Sequence, residues 1–147
     1  FPMELSSKSE YALLALLELA NAYQSAQLLQ IRQIAARRDI PERYLDQLLA
    51  ILRRGGLIKG IRGAKGGYIL AREPRQITLL DALRCIEGLD IASSVEQSTA
   101  EGAERGAVEE IWQSAEQAAN AVWQNYTLQD LCDRVAARRQ LDYMYYI

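Results

Sequence analysis

A short basic segment, Arg62-Gly63-Ala64-Lys65-Gly66-Gly67, contains residue types that can bind phosphate. Glycine backbone amides can cradle the phosphates of a nucleotide, and the two cations can instead contact the phosphates of a nucleic acid. The nucleotide-binding pattern G-x-x-x-x-G-K-[ST] is absent, and no predicted helix follows the segment closely enough to point its N-terminus at a phosphate. We therefore predict that Arg62 and Lys65 contact double-stranded DNA in a flanking minor groove.

A second set of polar residues lies on a helix predicted over 41–54, which begins at a proline because proline suits the first helical turn. Arginine can form two hydrogen bonds with guanine and glutamine two with adenine, so Arg43 and Gln47 are predicted base contacts. Tyr44 either contacts a phosphate or packs against the protein. Two further predicted contacts to the DNA backbone are Lys8 and Arg53. The alternative for each of these side chains is a solvated surface position with no partner.

The elements around these residues form a recognisable order. A helix over 31–38, a tight turn and the helix over 41–54 predict a helix-turn-helix, whose second helix enters the major groove. Short apolar runs on either side of the basic segment predict a two-stranded hairpin, or wing. Ser7, with Glu10 three residues later, predicts a cap for a first helix that runs to about Tyr23. Thr78 predicts the cap of a helix over 79–87.

From residue 107 to about residue 125, apolar residues recur at helical spacing and predict the longest helix of the chain. Small residues in its middle and tryptophans towards its ends favour pairing with a second copy, whereas the alternative is a helix packed into its own core. The predicted dimerisation residues are Ile111, Trp112, Ala115, Ala119, Val122 and Trp123. The stretch 91–105 predicts a flexible loop, and a last helix over 128–139 precedes an apolar tail, 141–147, that we expect to dock.

Charge divides the chain into two parts. Residues 1–75 contain 12 basic and 7 acidic side chains, for a net +5, whereas residues 76–147 contain 5 basic and 12 acidic ones, for a net −7. Only the first part is therefore expected to meet a polyanion. The predicted fold is mainly α, with a winged helix-turn-helix domain over 3–75 and a helical dimerisation region over 76–147. No apolar run reaches the roughly 18 residues that span a bilayer, so we expect a cytoplasmic protein.

The chain contains no histidine, which removes the usual general base and a common metal ligand, so enzyme functions are disfavoured. Its two cysteines, Cys85 and Cys132, lack the paired spacing of a zinc site. Both lie in predicted helices, where a small buried hydrophobic side chain is the ordinary interpretation. The alternative is a redox switch, which needs an accessible thiolate of low pKa.

Several ordered motifs together resemble the Rrf-two type of bacterial winged-helix regulator. They are Met3-Glu4-Leu5-Ser6-Ser7-Lys8, Tyr11-Ala12, Ile34-Ala35, Tyr44-Leu45, Gln47-Leu48-Leu49, Leu52-Arg53-Arg54, Gly56-Leu57, Arg62-Gly63 and Gly66-Gly67-Tyr68. The similarity is close over about residues 3–90 and looser through the long helix and Thr127-Leu128. It implies a homodimeric repressor or activator that binds an inverted-repeat operator.

Several members of that family hold an iron-sulfur cluster on three closely spaced cysteines before the long helix. This chain departs from them, because it has no cysteine between Gly88 and Trp112. The resemblance therefore implies a cluster-free member that senses a small metabolite or a partner protein. Two alternatives stay open: a winged-helix module that binds proteins, and a redox or iron-sulfur regulator that uses Cys85 or Cys132.

Overall fold

The computed structural model describes residues 6–88 and 102–145. Its elements in chain order are α1 (Ser7–Tyr23), α2 (Ile31–Arg38), α3 (Glu42–Arg54), β1 (Ile58–Ile61), β2 (Gly67–Leu70), a 3-10 turn (Pro74–Gln76), α4 (Leu79–Glu87), α5 (Gly102–Asn125) and α6 (Leu128–Tyr145). The prediction of a mainly helical fold with a two-stranded wing is confirmed. The motif residues Met3, Glu4 and Leu5 lie outside the described residues.

Two predicted helix starts are wrong by one residue. The cap of α1 is Ser6, whose hydroxyl oxygen accepts a hydrogen bond from the Ser9 amide at 3.1 Å, whereas Ser7 is already the first helical residue. Adjacent serines can both serve as caps, so the sequence leaves the choice open. Helix α3 begins at Glu42 because Pro41 has an extended ψ of 128° and forms its N-cap.

The helix-turn-helix is built on one apolar face of α3. Leu45, Leu48, Leu49 and Leu52 are each at most 1% exposed and belong to a single core that also includes Leu16 of α1 and Ile34 of α2. Burying a leucine side chain stabilises a fold by roughly 1.5–3 kcal/mol. The apolar positions recur every three or four residues, so the polar residues of α3 are left on the opposite face.

The wing is joined to the linker between α1 and α2. Strands β1 and β2 pair antiparallel, with Ile58 opposite Leu70 and Ile61 opposite Gly67. Leu29 adds a further bridge, since its amide donates to the Tyr68 carbonyl at 3.0 Å and the Tyr68 amide donates back at 2.7 Å. A Cβ on Gly67 would lie 2.7 Å from the Leu29 carbonyl oxygen. Close backbone approach therefore explains this glycine.

The N-terminal ends of α4 and α6 lie side by side and are joined by backbone hydrogen bonds. Thr78 forms a capping box with Asp81, and Thr127 makes the equivalent reciprocal hydrogen bonds with Asp130. The two caps meet through backbone hydrogen bonds from Leu79 to Tyr126 and from Leu128 to Ile77, of 2.8 and 2.9 Å. Leu128 is fully buried in the core. The core thus continues beyond residue 75, and the division into domains at 75/76 stays a prediction.

The C-terminal helices differ from the sequence-based bounds. The loop is predicted over 91–105, but residues 102–105 already form the first turn of α5. Glu104 favours a helix start there because a negative charge is stabilised at the positive end of the helix dipole. Residues 89–101 lie outside the described part. The long-helix prediction is confirmed, since α5 is the longest described helix. Helix α6 continues to Tyr145, so residues 141–145 are helical and do not dock on the single chain, where Leu141 and Tyr145 are 57% and 86% exposed; docking on another chain stays a prediction.

A buried carboxylate holds α2 against α1. Glu18 of α1 is 8% exposed. Arg38 Nε lies 2.7 Å from its Oε1, at an angle that makes the contact an ion pair rather than a hydrogen bond, and Arg37 donates to its Oε2 at 3.3 Å. A buried charge is tolerated only when it is paired. The pairing therefore sets the position of the first helix of the helix-turn-helix.

We expect Glu18→Gln, which keeps the shape of the side chain and removes its charge, to lower the free energy of unfolding by about 2 kcal/mol. The loss stays below that of a fully buried pair because Arg37 is 52% exposed. Urea denaturation measures it, with Glu10→Gln, an exposed position of the same helix, as the control. A loss no larger than that of the control would contradict the prediction.

Candidate nucleic-acid interface

The outward face of α3 carries the predicted base contacts. Arg43 and Gln47 are exposed and lie one helical turn apart, on the side opposite the buried leucines. Both side chains can therefore reach into a groove of DNA without disturbing the core. An open groove of about 370 Å³ runs beside this helix start and is lined by Ile31, Glu42, Arg43 and Asp46.

Tyr44 connects the start of α3 to α1. Its ring meets the Tyr11 ring edge to face, with the centroids 5.7 Å apart and the planes at 77°. The side chain is half-buried and packs against the core, which favours the packing alternative for this residue. Lys8 lies one turn before Tyr11 on the same face of α1, and Tyr11 is the residue whose ring contacts Tyr44 at the start of α3.

The wing tip carries the other predicted contacts. Arg62 and Lys65 are exposed in the turn between β1 and β2. The backbone at Gly66 packs so tightly that an added Cβ would lie 2.0 Å from the Ile61 carbonyl oxygen. Arg53 is exposed at the end of α3, and its Cδ would lie 3.9 Å from a Cβ added at Gly60 of β1. The wing and the end of the recognition helix are thus adjacent.

Exposed cations of the helix-turn-helix and the wing that were not predicted include Lys59 and Arg32. Lys59 lies in β1, and Arg32 lies in the first turn of α2, where its Nε donates to Gln30 Oε1 at 2.9 Å. Their only signal in the sequence is the basic surplus of residues 1–75, which does not distinguish one lysine or arginine from another.

The apolar side chains of α5 that are predicted to form the dimer interface are largely exposed to solvent in the single chain. Ile111, Trp112 and Val122 of α5 are 73%, 43% and 51% exposed, although the Trp112 indole N–H donates to Glu116 at 2.9 Å. Ala115 is exposed and Ala119 is half-buried. Trp123 differs, because it packs against the core of its own chain.

Both cysteines are partly buried, and neither belongs to a group of possible metal ligands among the described residues. Cys85 Sγ lies directly against Gly55 and donates to the Ile51 carbonyl oxygen at 3.3 Å. Burial raises the pKa of both thiols, and the neighbouring Asp133 raises the pKa of Cys132 further. Within residues 6–88 and 102–145, no three histidine, cysteine or acidic side chains are grouped so that they could hold a metal ion. The described donors therefore do not fit an iron-sulfur cluster.

The helix-turn-helix, the paired wing and the exposed polar face of α3 define a winged-helix DNA-binding protein. The family model "Rrf2: Iron-dependent Transcriptional regulator" matches residues 5–134. The HTH-type transcriptional regulator CymR of Bacillus subtilis is 35% identical over 145 residues, which cover 99% of this chain and 100% of CymR. The chain belongs to the Rrf2 family of transcriptional regulators.

Solved structures of the same type share the fold. The CymR (YrzC) structure, described as the global cysteine regulator of B. subtilis, has a TM-score of 0.74 at 35% identity and is matched over 90% of this chain and 98% of its own. T. potens IscR has a TM-score of 0.76 at 32% identity, with 90% and 88% covered. The predicted family and fold are confirmed, and the chain is a DNA-binding transcriptional regulator rather than an enzyme. None of its described helices has the length and apolar character needed to cross a membrane.

Proposed function

We propose that the protein binds an inverted-repeat operator as a homodimer, with α3 in the major groove. The observation that carries the proposal is the division of α3 into a buried leucine face and an exposed face with Arg43 and Gln47. Two symmetric recognition helices would contact half-sites one DNA turn apart, or about 10 base pairs between centres. The regulator would act in the cytoplasm, where a bacterial operator is found.

In this proposal, most of the affinity comes from phosphate contacts and most of the specificity from α3. Lysines and arginines that neutralise phosphates release counterions, whereas hydrogen bonds to base edges distinguish sequences. Arg43 and Gln47 read the bases, and Arg62 and Lys65 enter the flanking minor groove from the wing. Lys8, in the first turn of α1, and Arg53, near the end of α3, contact the DNA backbone.

The dimer would form along α5. Ile111, Trp112 and Val122 are apolar side chains that the single chain leaves exposed, and Ala115 and Ala119 between them permit a close approach. Burial of such a stripe against its symmetry mate would remove the exposed apolar surface from water. Trp123 would pack against the core of its own chain, beneath the exposed stripe, and would not contact the second chain.

We further propose that the signal is not carried by an iron-sulfur cluster. The family model is described as iron-dependent, yet Cys85 and Cys132 are partly buried and belong to no group of three possible metal ligands among the described residues. The CymR relative is described as a cysteine regulator. The expected effector of this chain is therefore a small metabolite of sulfur chemistry or a partner protein.

Binding to DNA tests the central proposal. We expect Arg62→Ala to weaken binding and to lower the slope of log K against log salt by about one, since one phosphate contact is lost. Fluorescence anisotropy at several salt concentrations measures the slope. Arg138→Ala, an exposed cation in the acidic part of the chain, is the control and should leave the slope unchanged. An unchanged slope in Arg62→Ala would remove Arg62 from the contact surface.

Sedimentation velocity at micromolar concentration tests the dimer. We expect a species of twice 16.5 kDa, and we expect Ile111→Asp to shift it to the monomer, because a buried charge at the interface is costly. Gln117→Asp lies on the opposite face of α5 and should stay dimeric. A wild-type protein that sediments only as a 16.5 kDa monomer would contradict the dimer proposal.

Iron analysis after anaerobic purification tests the proposed cofactor-free state. We expect a colourless protein with no stoichiometric iron, whose DNA affinity is unchanged by a chelator, because the two thiols are partly buried and are not grouped with other possible ligands among the described residues. A brown protein with stoichiometric iron would overturn this part of the proposal while leaving the DNA-binding surface intact.

A further inference from the structure

Glu87, the last residue of α4, makes its hydrogen bonds with the start of α1. Its Oε1 accepts from the Ser6 hydroxyl at 2.8 Å and from the Ser9 hydroxyl at 2.5 Å. The Ser6 hydroxyl oxygen at the same time accepts from the Ser9 amide as the cap of α1. One carboxylate oxygen therefore orients both the capping side chain and the first turn of the helix.

These contacts join segments that are far apart in the chain. Ser6 and Ser9 precede Glu87 by 81 and 78 residues. Ser9 is only 2% exposed, so its hydroxyl needs a protein partner, and Glu87 provides one. Gly88 ends α4 directly afterwards in the left-handed conformation. The pairing thus fixes the end of α4 to the start of α1.

Lys8 lies between the two serines in the first turn of α1, so the hydrogen bonds of Ser6 and Ser9 to Glu87 also fix its backbone. The same hydrogen bonds, from Ser9 and then Ser6, with a smaller contribution from the charge of Lys8, lower the pKa of Glu87. Lys8 is half-buried, and the Tyr11–Tyr44 ring contact one turn later connects the same face of α1 to the recognition helix. The ordered first turn therefore carries its lysine at the edge of the proposed DNA surface.

We propose that Glu87 is a positioning residue for DNA binding: by holding Ser6 and Ser9, it fixes the first turn of α1 so that Lys8 can contact a DNA phosphate. The inference rests on the proposed DNA-binding function. The expected effect of losing Glu87 on DNA affinity has an unusual sign. A carboxylate repels the DNA polyanion, so removing its charge alone would strengthen binding. A positioning role predicts the opposite result.

Glu87→Ala tests the role on a random-sequence DNA duplex of about 30 base pairs, long enough for two half-sites one turn apart. We expect Kd to rise about five- to tenfold at 0.1 M salt, and the salt slope to fall by about one, as for one lost phosphate contact. Glu87→Gln keeps an oxygen that accepts from the serines and removes the charge, so it should bind at least as tightly as the wild type. Glu10→Ala, which removes an exposed acid of α1, controls for charge and should not weaken binding.

A double-mutant cycle with Lys8→Ala separates positioning from a general loss of stability. If Glu87 acts through Lys8, the double variant should bind like Lys8→Ala alone, whereas independent effects would add. Additive effects, an unchanged salt slope, or an affinity of Glu87→Ala at or above that of the wild type would each overturn the inference. Wild-type protein that fails to bind the duplex would instead overturn the proposed function on which the inference rests.

Discussion

The packing of α3 is the constraint on which the remainder of the molecule depends. Its leucines at 45, 48, 49 and 52 are excluded from water, and turning the helix by one residue would rotate it by about 100° and bury charged side chains. The same packing that stabilises the core therefore determines which side chains are exposed. Arg43 and Gln47 are available to DNA because they lie on the face of α3 that points away from the core.

The wing is positioned by backbone contacts rather than by side chains. Leu29 and Tyr68 exchange two hydrogen bonds, which add the α1–α2 linker to the hairpin. Gly66 and Gly67 permit this arrangement, because a Cβ at either position would collide with a carbonyl oxygen. The distance between the wing cations and the recognition helix is consequently a property of the main chain, and substitutions at Arg62 or Lys65 can change DNA contacts without moving the wing.

The C-terminal helices are anchored to the DNA-binding part at two places. The caps at Thr78 and Thr127 join the starts of α4 and α6, and Leu128 enters the common core. Glu87 ties the end of α4 to the start of α1. Helix α4 also packs against both α5 and α3, so it lies between the proposed dimer helix and the recognition helix.

The sequence by itself determined the order and type of the described elements, because the leucine spacing in α3, the threonine caps and the glycine-rich turn are local signals. It also determined the basic character of residues 1–75. Which residues meet across the fold was decided only by tertiary structure. Neither the pairing of Glu18 with α2 nor the contact of Glu87 with two serines about 80 residues earlier has a local signature, since each joins side chains of different helices that meet only through tertiary packing.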